Sequence, residues 1–193
     1  MPAGSAAHRL DEYLQAARVS LARDRITLEL DLMPGANIAP AILTFVDGDS
    51  DKTISPIEAE AYGQVVLADL VMKLDGRPIA MTLTRMETSS IEELCDGAGS
   101  IQLRATGSIE ALDAGRHQLY FRNDHRPAPS VYLVNALIPE DGGVGVVRQD
   151  RDLRQQAVRI DYNVGLRWLA QVLWLVAGVA GLSALLVLRR SGS

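Results

Sequence analysis

Cysteine is nearly absent from this chain. Its 193 residues include one, Cys95, which excludes an intrachain disulfide and with it a disulfide-stapled scaffold. A domain of this size buries a core without cross-links, so the compartment stays open on that ground. The short signatures of common chemistries are missing too. There is no Gly-x-Ser-x-Gly elbow, no glycine-rich phosphate loop, no zinc-ligand array and no His-Glu-x-x-His pair. Positive charge is in deficit: the net formal charge is −5, and since three arginines and no acid follow Leu166, the part before it stands at −8. Such a domain is a poor fit for nucleic acid or for lying on anionic lipid. Residues 1–10 lack the basic segment and apolar run of a secretory leader. Ala3-Gly4-Ser5-Ala6-Ala7 has the small-residue character of a leader's end, with His8 as a mature start. The alternative for residues 1–8 is a short disordered tail. No internal repeat or low-complexity tract is present.

Charge is also lacking from Trp168 to Leu188, 21 residues rich in Leu, Val, Ala and Gly and followed by Arg189 and Arg190. A helix of that length spans roughly 31 Å, about the thickness of a bilayer's hydrocarbon core. The expectation is one transmembrane helix over 166–190 that anchors the domain 9–164 in the inner (cytoplasmic) membrane. Arg189 and Arg190 outweigh Arg167, which places the domain outside the cytoplasm. The competing readings are a buried core helix and a tail-anchored protein with a cytoplasmic domain. Ala177 and Gly181 are four apart, as are Ala180 and Ala184, a spacing that suits self-association or docking on a membrane-protein partner.

The remainder is dominated by alternation. Ile26, Leu28, Leu30 and Leu32 alternate with Thr27, Glu29 and Asp31, and the looser pattern Tyr13, Ala17, Val19, Leu21 precedes them; the pair reads as neighbouring strands. Further strands are expected around Ile79–Leu83, Ile101–Ala105, His117–Phe121, Val131–Leu137, Val144–Val147 and Val158–Tyr162. Val131–Leu137 has no polar face, so it is expected to be central. Ser90-Ile91-Glu92-Glu93 is a capping box opening a short helix that ends near Gly97. Two helical segments, Ala39–Val46 and Pro56 to about Met72, interrupt the strands. Seven to nine strands at short spacing predict a mainly β, β-sandwich-like domain, with 39–72 as a helical insertion.

Asp47 to Glu58 carries the clearest chemistry. Calcium takes about six to eight hard oxygens, and an EF-type loop supplies them from positions 1, 3, 5, 7, 9 and 12. Those positions hold Asp47, Asp49, Asp51, Thr53 through its carbonyl, Ser55 and Glu58, with Ile54 at the apolar site between. The departure is Lys52 at position 6, where glycine is expected. A non-glycine residue in left-handed geometry costs roughly 1–2 kcal/mol, and this one adds a positive charge. Two readings stand: a weak calcium site that staples a loop, and an acidic loop with an N-capped helix behind it.

The other reactive residues do not assemble by sequence. His117 lies on a strand face and His125 in a loop after Asn123-Asp124; a His117/His125/Asp124 metal site would need two strands to meet. Cys95 has Glu92, Glu93 and Asp96 nearby, which oppose thiolate formation.

The run from His8 through Tyr13, Gln15 and Ala16, the loop Asp47–Glu58 with Ala59-Glu60-Ala61-Tyr62 after it, and Leu74-Asp75-Gly76-Arg77-Pro78 together suggest a relationship. Over residues 8–85 they resemble the extracytoplasmic N-terminal region of bacterial nickel/cobalt transporters and HupE/UreJ-like membrane proteins. The resemblance implies a secreted, periplasmic domain, the calcium-type loop and a membrane partner. Transport does not carry over, because the single apolar segment holds no intramembrane His or Asp. The functional expectation is a membrane-anchored extracytoplasmic accessory or binding module, calcium-stabilised and linked to metal-ion homeostasis. The alternatives are an envelope enzyme and the tail-anchored protein.

Overall fold

Strict alternation from Tyr13 to Pro34 builds the first hairpin of the computed structural model, which describes residues 10–126, 128, 130–137 and 143–165. Strands β1 (Tyr13–Leu21) and β2 (Arg25–Pro34) pair antiparallel, and Ile26, Leu28, Leu30 and Leu32 are fully buried. The helices α1 (Ala39–Val46) and α2 (Pro56–Ala68) follow, flanking the acidic loop. Then come β3 (Leu70–Leu74), β4 (Arg77–Pro78), β5 (Thr82–Thr88), α3 (Ile91–Cys95), β6 (Ile101–Ser108), β7 (Gly115–Asn123), β8 (Ser130–Ala136), β9 (Val144–Arg151) and β10 (Ala157–Val164). They form two five-stranded sheets, ordered β5-β6-β2-β1-β8 and β4-β3-β7-β10-β9.

The expectation of a mainly β sandwich with a helical insertion is corrected by this architecture, which is a mixed α/β domain with two open sheets and three short helices among the described residues. The helices are structural members of the core. Ile42 and Val46 of α1 and Tyr62 and Val66 of α2 join one buried cluster with Leu28 and Leu30 of the first sheet and Phe121 and Ile160 of the second. At roughly 1.5–3 kcal/mol per buried large apolar side chain, the four from α1 and α2 contribute an amount comparable to the whole net stability of a small domain. The first sheet is also mixed in direction, because β8 runs parallel to β1 from Tyr13↔Ser130 to Val19↔Ala136. Val131–Leu137 is therefore not central: β8 is an edge strand, with Val131 and Leu133 each 39% exposed. Helix α2 stops at Ala68 rather than near Met72, because Leu70–Leu74 is drawn into pairing with β7.

No helix among the described residues is long and apolar enough to cross a membrane. The longest, α2, has 13 residues, about 20 Å against the roughly 30 Å of a hydrocarbon core. The single-pass reading is corrected to that extent: nothing among the described residues supports the membrane-anchored module, the inner-membrane location, the lipid contact through 166–190, or association through Ala177, Ala180, Gly181 and Ala184. Those positions, like residues 1–8, lie outside the described residues. Function is accordingly argued from the domain alone.

Candidate functional site

The loop between α1 and α2 brings three carboxylates together. Asp47 is the C-cap of α1 and is 9% exposed. Glu58 is the third residue of α2, whose N-cap is Ser55 and whose first residue is Pro56, a helix start that the sequence specifies completely. One oxygen each from Asp47, Asp49 and Glu58 lies within 4.8 Å of the other two. Oxygens on opposite sides of one calcium ion are about 4.6–5.2 Å apart, twice the usual bond length, so the three fit around a single hard cation.

Backbone amides hold the carboxylates in place. Asp47 Oδ1 accepts from Asp51 N at 3.2 Å and its Oδ2 from Lys52 N at 3.1 Å. Asp49 Oδ1 accepts from Asp51 N at 3.1 Å. Glu58 Oε1 accepts from Gly48 N at 2.8 Å and Asp49 N at 3.3 Å, while Oε2 accepts from Ser55 N at 2.9 Å and Ser55 Oγ at 2.7 Å. The bonds from the Ser55 amide and hydroxyl, followed by those from Asp49 and Gly48, hold the Glu58 carboxyl down to about 2. It is thus ionised at any physiological pH. Lys52 adopts φ 69°, the left-handed turn that position 6 of an EF-type loop requires, and Ser50 adopts φ 61°. Ile54 is packed against the core and ties the loop down from its middle.

Not every expected ligand joins the cluster. Asp51 Oδ1 accepts from Thr53 N at 2.7 Å, so that carboxylate serves its own turn. The Ser55 hydroxyl donates to Glu58 Oε2 at 2.7 Å. The donor set that converges is Asp47, Asp49 and Glu58, and its all-oxygen, anionic chemistry suits a hard cation. A cation would gain Glu58 only in exchange for hydrogen bonds already made, a cost that adds to the opposing charge of Lys52.

The two described histidines lie near the start of β7 and just past its end, and do not share a site. His117 Nδ1 meets Asp75 Oδ2 at 2.8 Å. His125 is 1% exposed and belongs to a buried polar chain that sequence reasoning missed. Its Nδ1 meets Asp69 Oδ2 at 2.8 Å, its Nε2 meets the Tyr62 hydroxyl at 3.0 Å, and that hydroxyl meets the Tyr13 hydroxyl at 3.0 Å. With Nδ1–H donating to Asp69, Nε2 accepts from Tyr62 and Tyr62 accepts from Tyr13, so every proton has a place with a neutral imidazole. Burial pushes the His125 pKa below its usual value against the pull of Asp69, and burial raises those of Tyr13 and Tyr62. The order hydroxyl–imidazole–carboxylate has the form of an activated nucleophile, but Tyr62 is 2% exposed and cannot touch a substrate. The chain locks α2 to β1 and to the end of β7. No local motif announces it; tyrosines at apolar positions read as packing. Cys95 is a free thiol at the end of α3, and both described histidines are committed elsewhere.

No family model matches the chain, and no curated protein or solved structure matches it either.

Proposed function

We propose that this domain is a cation-stapled module in which the loop Asp47–Glu58 takes a hard divalent cation, calcium in preference to magnesium. The observation that carries the reading is the convergence of Asp47, Asp49 and Glu58 oxygens within 4.8 Å. Asp47, Asp49 and Glu58 would hold the ion, with the Thr53 carbonyl, Asp51 and Ser55 as further oxygen donors in the sequence pattern. Bound there, the ion would supply charge neutralisation for three carboxylates held at close quarters. The role is structural. Asp47 caps the end of α1, Glu58 lies in the first turn of α2, and both helices deliver core residues, so an ion between them would fix the angle between the two helices. Calcium is favoured over magnesium because carboxylates and carbonyls on an irregular loop suit its larger, less regular shell.

Thermal melting of the full chain tests it. Calcium at about a hundred times its dissociation constant should add about 2.7 kcal/mol of stability, and magnesium at the same concentration less. The gain should vanish in Glu58→Gln. Equal melting curves with calcium and with a chelator, up to about 10 mM calcium, would sink the proposal.

A further inference from the structure

At the end of the molecule that carries the β1–β2 turn, one histidine joins three chain segments. His117 is the third residue of β7, on the inward-facing side of the second sheet, and is only 15% exposed at its side chain. Its Nδ1 lies 2.8 Å from Asp75 Oδ2 in the β3–β4 turn, and its Nε2 lies 3.1 Å from the carbonyl oxygen of Asp113 in the β6–β7 connection. That connection is bonded in turn to the first sheet: Ile109 N donates to Asp24 O at 3.0 Å and Leu112 N to Arg23 O at 2.8 Å. Asp75 is locked as well, accepting from Gln118 N at 2.8 Å.

Both partners of the ring are acceptors only. A carboxylate oxygen and a carbonyl oxygen cannot donate, and a neutral imidazole carries one N–H. The two contacts are therefore satisfied together only by the imidazolium. In the neutral ring one nitrogen lone pair would face an acceptor, and the Asp75 carboxylate, which keeps a proton on Nδ1, leaves Nε2 against the Asp113 carbonyl as the contact that fails. We infer that His117 is a proton-dependent clasp: protonated, it holds the connection Ile109–Ala114 against the β3–β4 turn and so ties the ends of the two sheets together; deprotonated, it lets that connection go.

The surrounding charges favour the closed form. Asp75 and Asp113 face the ring from its two partner segments, and Glu110 and Arg77 line the same cavity, of about 530 Å³. From β10 the residue opposite is Tyr162, fully buried and uncharged, with its pKa raised by burial. On β7 the neighbours on this face are Gly115 and Leu119, which carry no charge. From the β1–β2 turn, Arg23 and Asp24 reach the connection through their carbonyls. The Asp75 hydrogen bond raises the His117 pKa against the effect of burial, so opening falls above the ordinary histidine range. The clasp is not an acid–base dyad, because Nε2 is turned onto backbone rather than into the cavity.

The test is hydrogen exchange on the full chain, read at the Ile109 and Leu112 amides, alongside an NMR titration of His117. The account expects protection, corrected for the intrinsic pH dependence of exchange, to fall roughly tenfold as pH rises through the His117 midpoint. His117→Gln should remove that step, and Asp75→Asn should move both the midpoint and the step to lower pH. A His117 midpoint at or below the free-histidine value, or protection that stays level across the titration, would overturn it; both are read on the unmodified protein, so a variant that fails to fold does not decide the matter.

Discussion

Lys52 holds φ 69° while its amide donates to Asp47 Oδ2 at 3.1 Å. The loop needs that left-handed turn to swing the Asp51 and Lys52 amides onto Asp47, and a side chain with a Cβ occupies it at a cost of roughly 1–2 kcal/mol. Replacing Lys52 with glycine relieves the strain and withdraws a positive charge from the carboxylates, partly offset by the greater freedom of glycine in the unfolded chain. Because the backbone already holds the left-handed turn, relief of strain stabilises the fold whether or not calcium binds, and Lys52→Gly is expected to tighten calcium binding through the withdrawn charge alone, by about two- to fivefold in calorimetry; unchanged affinity would mean that the ion does not bind within this turn. This residue shows what spacing reveals. The sixth place of the loop demands a left-handed backbone whatever residue fills it, so the sequence was enough to locate the strain. Nothing comparable marked Asp51, whose carboxylate turns back to Thr53 N, because an aspartate at that place serves a ligand and a local turn equally well.

Strand β1 carries the second lesson. Alternation identified its buried face, but Gln15 lies on that face too and is fully buried. Its Nε2 donates to His125 O at 2.9 Å and Ser130 Oγ at 2.7 Å, and its Oε1 accepts from Asn123 Nδ2 at 2.8 Å. One side chain thus joins the first sheet to the end of β7 and to the start of β8, where the chain enters parallel to β1. Gln15→Leu keeps the volume but leaves the Asn123 amide without its acceptor. The expected loss is about 1–3 kcal/mol, seen as a lower urea midpoint at unchanged slope. An unshifted midpoint would show that the buried polar group contributes nothing. Strand order was not legible for a related reason: Val131–Leu137 shows no polar face in sequence whether it is central or at an edge, and the neighbour of the strand is decided by contacts such as Gln15–Ser130, over a hundred residues apart in sequence. The edge that results is not bare, since Arg151 Nε donates to Val134 O at 2.7 Å and Ala136 N to Gln149 Oε1 at 3.1 Å. Those side chains of β9 occupy backbone groups that an open edge would otherwise present.

For the molecule as a whole, two histidines act with opposite sign. His125 is buried and its folded pKa lies below 6.5, so its contribution to stability is complete above that value and is lost as pH falls through the folded pKa. His117 is raised above 6.5; its contribution is complete below that value and is lost as pH rises through the folded pKa. Urea unfolding across this range should show an acid limb that His125→Gln flattens and an alkaline limb that His117→Gln flattens. Identical profiles for the unmodified chain and both variants would refute the assignment. Glu58 adds a further limb, present above 4.5 and lost as pH falls towards about 2, small because the group is exposed to solvent. Sequence located the helix starts at Ser55 and Ser90, where a capping box states its own geometry, and it located the acidic loop. The integration of α1 and α2 into one core with both sheets was not visible, because a short apolar stripe looks the same on an inserted helix and on a core helix.

The central claim is that the loop Asp47–Glu58 holds a hard cation. Calorimetric titration of the full chain with calcium addresses it most directly. The account predicts saturable binding of one ion, weaker than that of a regular EF-type loop, tighter for calcium than for magnesium, and abolished in Asp47→Asn and Glu58→Gln. Absence of binding heat for the unmodified chain, or binding that survives both substitutions, would contradict it.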